Sequence, residues 1–335
     1  MVTIYDIAKK TGYSVTTVSK VINNYQDVSE KTKKAIQLAM EETGYLPNSH
    51  ARSLTTKKSW TIGVVFIESL GIGMKHPFFN AVIESFRKQV ELLGYDLLFA
   101  SRSISNQKKS YLDHFRYRGV DGVVIVCSTY DDEQVQELIE NSIPSVVIDL
   151  NSKESSAVYS DNLDGSRQAV EYLYGLGHRA IAHIRGHQST HAGEQRMLGY
   201  KHTLTNLGIP VREEYIENGR YFSRDGGYEA MEKLLALMNR PTAVYAAGDS
   251  MAIGAIEAIR NHGLHVPEDI SVIGYDDIEL SQYVHPPLTT IRQKTDLIGI
   301  ESAKLLVKQI NEKEKCIEHH IIPVELVERH SCSSI

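Results

Sequence analysis

Three polar side chains near the start of the chain are spaced for hydrogen-bond chemistry along one helix. They are Ser14, Thr16 and Lys20, in the run Ser14-Val15-Thr16-Thr17-Val18-Ser19-Lys20-Val21-Ile22-Asn23. Ser14 is a good N-cap for a helix from Val15 to Ile22, since its hydroxyl can accept from an orphan amide of the first turn. On that helix Val18, Val21 and Ile22 share an inward face, which leaves Val15, Thr16, Ser19, Lys20 and Asn23 presented. The N-terminal turn of such a helix is the part that reaches base edges in a major groove. There Thr16 can donate or accept, Val15 can touch a thymine methyl, and Lys20 can reach guanine or a phosphate. The blander alternative makes Val15 and Thr16 ordinary first-turn residues.

Bond-making chemistry is poorly supported. Gly71-Ile72-Gly73 follows a strand-like run, but His76 stands where a dinucleotide fingerprint needs its third glycine. No G-x-S-x-G pattern supplies an activated serine. His319 and His320 are adjacent, and Cys127, Cys316 and Cys332 are scattered, so neither group has metal-ligand spacing. The expectation is a protein that is not an enzyme and needs no metal or cofactor. The odd, unpaired cysteines fit a reducing cytoplasm. No run of 18 apolar residues spans a membrane, and no basic segment followed by an apolar stretch opens the chain.

Positioning Thr16 requires neighbours, and the sequence supplies two more short helices. Thr3 with Asp6 three residues on is a capping box, and Ile4, Ile7 and Ala8 follow as one apolar face. Gly12-Tyr13-Ser14 is a tight turn between two helices, the helix-turn-helix arrangement. Ser29 can cap a third helix, about 30–43, with Ala35, Ile36, Ala39 and Met40 inward; Gly44 closes it and Pro47 stops it. The stretch 48–54 is long enough for about two helical turns but too short to be stable alone. A linker through residue 59 follows.

Charge divides the same way. Residues 1–58 hold eight Lys and one Arg against two Asp and three Glu, a net of +4, whereas the rest carries 27 basic against 37 acidic residues. A modestly basic head on an acidic body points to a module that meets phosphates. From Trp60, β-branched runs at 61–67, 95–100, 122–126, 145–149, 180–184, 242–246 and 270–275 alternate with helical stretches near 78–93, 132–141, 164–176, 195–207, 226–238, 250–262 and 296–312. That alternation is the βαβ pattern of an α/β fold with parallel sheets, and about 275 residues suit two stacked lobes with a ligand cleft between them.

These residues resemble the lactose-repressor/galactose-repressor family of bacterial regulators. The resemblance rests on Thr3-Ile4-Tyr5-Asp6-Ile7-Ala8, the Ser14–Asn23 run, Gly44-Tyr45-Leu46-Pro47-Asn48 and Ala51-Arg52-Ser53-Leu54. Further on it rests on Asp161-Asn162, Gly177-His178-Arg179, Arg196 with Gly199-Tyr200, Gly248-Asp249-Ser250-Met251-Ala252, Val272-Ile273-Gly274-Tyr275-Asp276-Asp277 and Pro287-Leu288-Thr289-Thr290-Ile291. It covers essentially the whole chain.

The resemblance implies a helix-turn-helix DNA-binding head over 1–45 and a hinge helix and linker over 46–59. A two-lobed core like a periplasmic binding protein would fill 60–335. One lobe would span about 60–160 and 291–319, the other about 161–290 and 320–330, with crossovers near 160, 290 and 320. Val15, Thr16 and Lys20 would read bases, with Ser19 beside them. Thr3, Tyr5, Ser14, Asn23 and Tyr45 would fix register on phosphates, and Asn48 would be a further DNA-binding residue. Leu54, with Ala51 permitting close approach, would wedge into the minor groove, unless it is a plain linker hydrophobe. Two heads read a palindromic operator, so a homodimer is implied.

In the core, the resemblance makes Arg196 a forked donor, Asp276 an acceptor for paired hydroxyls and Phe222 an aromatic platform. Phe78 and Phe79 would line the facing lobe, with Asp149, Asp161 and Thr190 as further candidates. Phe79 as core and Asp161 as a helix cap are the plainer alternatives. The implied partner is a small polar effector, such as a sugar, sugar derivative or sugar acid, that controls repression of carbohydrate-related genes. Gly248, where some relatives carry asparagine, and the longer loop 68–75 leave its identity open. Lys304 and Lys308, one turn apart, could dock a phosphocarrier protein or simply be a solvated face. A secreted solute-binding protein would share the core but has no use for the head.

Overall fold

The computed structural model describes residues 2–23, 25, 27–46, 58–66, 73–100, 103–104, 107–126, 132–312 and 316–335. The chain forms two compact units, Met1–Trp60 and Thr61–Ile335.

Among the described residues the head has three helices: α1 (Ile4–Thr11), α2 (Val15–Ile22) and α3 (Glu30–Thr43). Each begins where its cap dictates. The Asp6 carboxylate accepts from the Thr3 amide at 2.9 Å and the Thr3 hydroxyl at 2.7 Å. Ser14 Oγ accepts from Thr17 N at 3.1 Å, and Ser29 Oγ from Thr32 N at 3.3 Å. Gly12 and Gly44 end α1 and α3 at φ 74° and 64°, where a side chain would be strained. Ile7, Ala8, Val18, Val21, Ile36 and Ala39 close one small core. Ala35, expected inward, is exposed. It lies one residue, or 100° of helix, from Ile36, and three short helices enclose only a narrow stripe.

Among the described residues the second unit holds two six-stranded sheets. The first runs β13 (His319–Ile322), β7 (Ser156–Ser160), β6 (Ser145–Ile148), β5 (Gly122–Val126), β1 (Thr61–Phe66), β2 (Asp96–Phe99), with every pairing parallel. The second runs β14 (Glu325–Val327), β12 (Thr289–Arg292), β11 (Ser271–Asp276), β10 (Ala243–Ala246), β8 (Ile181–Arg185), β9 (Ile216–Asn218). It is parallel except where β14 joins β12. A two-stranded ribbon, β3 (Ser103–Ile104) with β4 (Gln107–Lys108), stands apart from both. Central strands such as Gly-Val-Val-Ile-Val are buried throughout, as parallel strands covered on both faces must be.

Helices α4 (Pro77–Leu92), α5 (Tyr111–Arg118), α6 (Glu133–Ile139) and α11 (Thr295–Asn311) connect the first sheet; α7 (Asn162–Gly175), α8 (His191–Asn206), α9 (Arg224–Leu235) and α10 (Asp249–Asn261) connect the second. α11 returns to the first lobe and packs on α4 so closely that a Cβ at Gly299 would sit 2.6 Å from Phe86 N.

The chain passes between lobes three times: after Ser160, after Arg292 and after Ile322. The second and third crossings lie two to three residues later than expected from the sequence, because β12 and β13 complete their ladders before the chain turns away. The second lobe also extends past 330: Val272 N donates to Ser331 O at 2.8 Å, and Ile335 N to Leu176 O at 3.1 Å. Strands β7, β9, β12, β13 and β14 and helix α5 were not evident in the periodicity. Short segments such as Ser-Ala-Val-Tyr-Ser are strands only because a neighbour pairs with them.

Candidate functional site

On the head, the residues expected at DNA divide into presented and occupied. Thr3, Ser14 and Thr16 are exposed, as is Tyr5 at 71%. Val15 is half-buried against the head core, and so is Tyr45. Burial holds the Tyr45 phenol above its usual range. Ser19 is half-buried, and its carbonyl accepts from Asn23 Nδ2 at 2.9 Å. Asn23 therefore closes α2 rather than standing free, a local use that competes with any phosphate contact. Lys20 is presented but paired with Asp27. Asn48, Ala51 and Leu54 lie outside the described residues.

In the second unit the site is built around Arg196 on α8, whose side chain is almost wholly buried. Its Nε donates to Asn162 Oδ1 at 2.8 Å, its Nη1 to Ala247 O at 2.6 Å, and Nη1 lies 3.5 Å from Asp276 Oδ1. The guanidinium stacks over Tyr275 at 3.7 Å and stands 5.6 Å from the Phe222 ring. A planar cation fits this sandwich in a way an ammonium could not.

Three expected ligand residues share a backbone property. Asp149, Phe222 and Asp276 hold φ of 59°, 58° and 118°, conformations that non-glycine residues take only when packing over-determines them. Each sits in the loop after a strand or at a strand's last residue, where open α/β sheets bind ligands.

Electrostatics converge there as well. Burial pushes the Asp149 carboxyl up to about 7 against the pull of Arg196, with Asp276 adding to the rise. Burial also raises Asp276, opposed by Arg196 and His76. His191 falls to about 4 through burial and then Arg196. His76 is lowered by burial, partly offset by Asp276. A cluster of displaced carboxyl and imidazole groups in a cleft is a site signature.

A cavity of about 430 Å³ opens between the lobes, lined by Lys75, Phe78, Asn80, Asp276, Asp277 and Gln293 among others. Arg196, Asp149 and Phe222 do not line it. Gln293 Nε2 donates to Asp276 Oδ1 at 2.6 Å.

The other expected site residues have local partners as well. Thr190 Oγ1 accepts from Gly193 N at 3.1 Å and donates to His187 O at 2.6 Å, so its hydroxyl caps α8. Asp161 caps α7 through Asp164 N at 3.0 Å. Phe79 packs on Phe78, His76 and Phe66 with ring centroids 5.0, 5.4 and 6.1 Å away, as core; Phe78 reaches the cavity wall. Lys304 pairs with Glu301 at 2.9 Å and Lys308 with Glu318 at 2.5 Å, both at the surface.

Sequence reasoning missed His76, Asn162, Tyr275, His191 and Gln293 as site residues. Asn162 and Tyr275 stood inside motifs already singled out, and His76 precedes Pro77-Phe78-Phe79. Gln293 offered no signal. Asp249 turns out to be an anchor. Its carboxylate accepts from Ile278 N (2.9 Å), Ser281 Oγ (2.6 Å) and Thr290 Oγ1 (2.5 Å), which ties down the loop after Asp276.

Comparison with known proteins identifies the family of the chain. Residues 3–48 match bacterial regulatory proteins of the lacI family, and residues 170–332 match a periplasmic binding protein-like domain. The chain is 38% identical over 335 residues to the "Probable HTH-type transcriptional repressor ExuR" of Bacillus subtilis (strain 168), covering 99% of this chain and 98% of that one. It aligns with the lac repressor dimer bound to operator and the anti-inducer ONPF at a TM-score of 0.81, 30% identity and 99% of each chain. It aligns with the complex of transcriptional regulator CelR and cellobiose at a TM-score of 0.73 and 32% identity, over 99% of this chain and 100% of that one. Among the described residues no helix is long and apolar enough to cross a membrane. The chain belongs to the lacI family of bacterial regulatory proteins and is a DNA-binding transcriptional regulator of the helix-turn-helix type.

Proposed function

We propose that the protein is a homodimeric repressor that binds a palindromic operator in the cytoplasm through the head, 1–45, and a hinge over 46–59. A small, sugar-like effector held between the two lobes of the core sets its affinity for that operator. In this reading Thr16 and Val15 meet base edges, Lys20 meets guanine or a phosphate, and Thr3, Tyr5 and Ser14 meet phosphates. Leu54, flanked by Ala51, wedges the minor groove, and Asn48 touches the backbone.

The observation that carries the effector role is the setting of Arg196. A buried, stacked guanidinium faces Asp276 on its own lobe and Asp149 on the other, so one ligand can bridge both lobes. Hydroxyl groups suit it: they accept from Arg196 and donate to the carboxylates. Phe222 offers an apolar face for a sugar ring. The cellobiose held by CelR and the operator held by the lac repressor support the two halves of this reading. Lobe closure around the ligand would couple to the head by about 1–3 kcal/mol. No step calls for catalysis.

The test is fluorescence anisotropy of the dimer with labelled genomic duplexes, with and without sugars. Salt-sensitive binding to one palindrome, altered by a sugar in wild type but not in Arg196→Met, is the expected result. Equal affinity for all duplexes at moderate salt, or a sugar response that survives Arg196→Met, defeats the reading.

A further inference from the structure

Charge around Arg196 does not balance. One guanidinium faces two carboxylates, Asp276 from the second lobe and Asp149 from the first. Asp276 spends Oδ1 on Gln293 as well as on Arg196, whereas Asp149 Oδ1 is buried with no partner among the described residues. An acceptor left alone in the interior is costly, so its persistence points to something that visits it. The backbone places it there: Asp149 follows β6 with φ 59°, a turn that aspartate tolerates better than most residues.

Among the described residues Arg196 is the cation that acts on Asp149, while Lys75 lines the neighbouring cavity beside Asp276. The charged group facing Asp149 besides Asp276 is Arg196. The nearby imidazoles, His76 before α4 and His191 opening α8, are both driven toward the neutral form by burial, and Arg196 pushes each further.

We propose that Asp149 sets the charge class of the effector, admitting an uncharged polyhydroxylated molecule that donates a hydroxyl to its Oδ1 and discriminating against the carboxylate-bearing counterpart. This rests on the reading of the interlobe cleft as the effector site. A ligand hydroxyl removes the orphan acceptor at no electrostatic cost. A ligand carboxylate adds a third negative charge to a poorly solvated site unless Asp149 takes up a proton. Burial holds that carboxyl at about 7, so the proton is present below neutrality and absent above it. Affinity for an acid therefore falls as pH rises, and affinity for its neutral counterpart does not.

Isothermal titration of the full-length protein with D-glucose against D-glucuronate, and D-galactose against D-galacturonate, near pH 6 and pH 8, decides the matter. In at least one pair the neutral member should bind about tenfold tighter near pH 8, and the gap should narrow by several-fold near pH 6. Asp149→Asn should bring the two members within a few-fold and remove the pH dependence of the ratio. The wild-type pH series stands by itself if that variant folds poorly. An acid that binds wild type as tightly as its neutral partner near pH 8, with Arg196→Met abolishing binding, overturns the charge rule and leaves the effector cleft standing. If no sugar or acid binds wild type that still recognises its operator, the cleft reading falls and the charge rule with it.

Discussion

Thr16 and Lys20 sit one turn apart on α2 and illustrate what a single residue can and cannot announce. Thr16 is exposed in the first turn, where cap and period alone put it. Thr16→Val keeps its shape and removes its hydrogen bond. We expect about tenfold or greater loss of operator affinity with relaxed preference at one base position, and an unchanged thermal midpoint; anisotropy and calorimetry read the two. Lys20 was equally legible as a presented cation, but its pairing with Asp27, seven residues on and across a turn, was not. Asp27→Asn should release Lys20 for phosphates. Binding to random duplex should strengthen, and the slope of log affinity against log salt should steepen by about one. An unchanged slope would mean that Lys20 does not reach the backbone. Arg196 and Asp276 were legible through a motif, whereas Asn162, His76 and Gln293 acquire meaning only beside them.

Elements were most legible where a side chain closes its own helix, as Ser14 and Ser29 do. They were least legible where one element is shaped by another. Gly165 on α7 is such a case, because a Cβ there would stand 2.4 Å from Tyr275 Oη, under the Arg196 guanidinium. Gly165→Ala should cost about 1–3 kcal/mol in urea unfolding and weaken effector binding together, since the ring it displaces supports the site. Strand β8 supplies a second case. His183 lies fully buried between the rings of Tyr200 and Tyr245, 4.9 and 4.6 Å away, with Nδ1 bonded to Tyr245 O at 2.9 Å. Burial lowers this imidazole to about 3. Between that value and its ordinary 6.5 the unfolded chain binds the extra proton, so stability contributed by neutral His183 is present above pH 6.5 and lost as pH falls toward 3. Asp149 and Asp249, both raised to about 7, act in the opposite direction over much of that range. The difference between variants isolates the histidine: His183→Phe should be less stable than wild type near neutrality and show a shallower decline from about pH 6.5 to pH 4. Parallel declines would assign the acid sensitivity elsewhere.

At the scale of the whole molecule, two compact units with separate cores should melt separately. Among the described residues the head encloses six buried apolar side chains, so we expect it to unfold first in scanning calorimetry. Operator should raise the lower transition, whereas an effector alone should raise the upper by about 2.7 kcal/mol at a hundredfold excess over its dissociation constant. A single transition shifted equally by both ligands would contradict this. The chain's sequence by itself determined the local matters: where the head helices start and stop, the change from helical to alternating texture at Trp60, and the charge contrast between head and body. Those follow from caps and from periods of 3.6 and 2, which neighbouring residues settle among themselves. Only the tertiary structure decided which strands are adjacent, where the chain crosses between lobes, and how residues as distant as Asp149, Phe222 and Asp276 gather around the buried Arg196 guanidinium. It also decided which polar side chains are already taken, Thr190 by a helix end and Asn23 by a carbonyl. Parallel pairing joins segments far apart in the chain, and burial is a property of everything packed around a residue, so neither can be written in any short stretch.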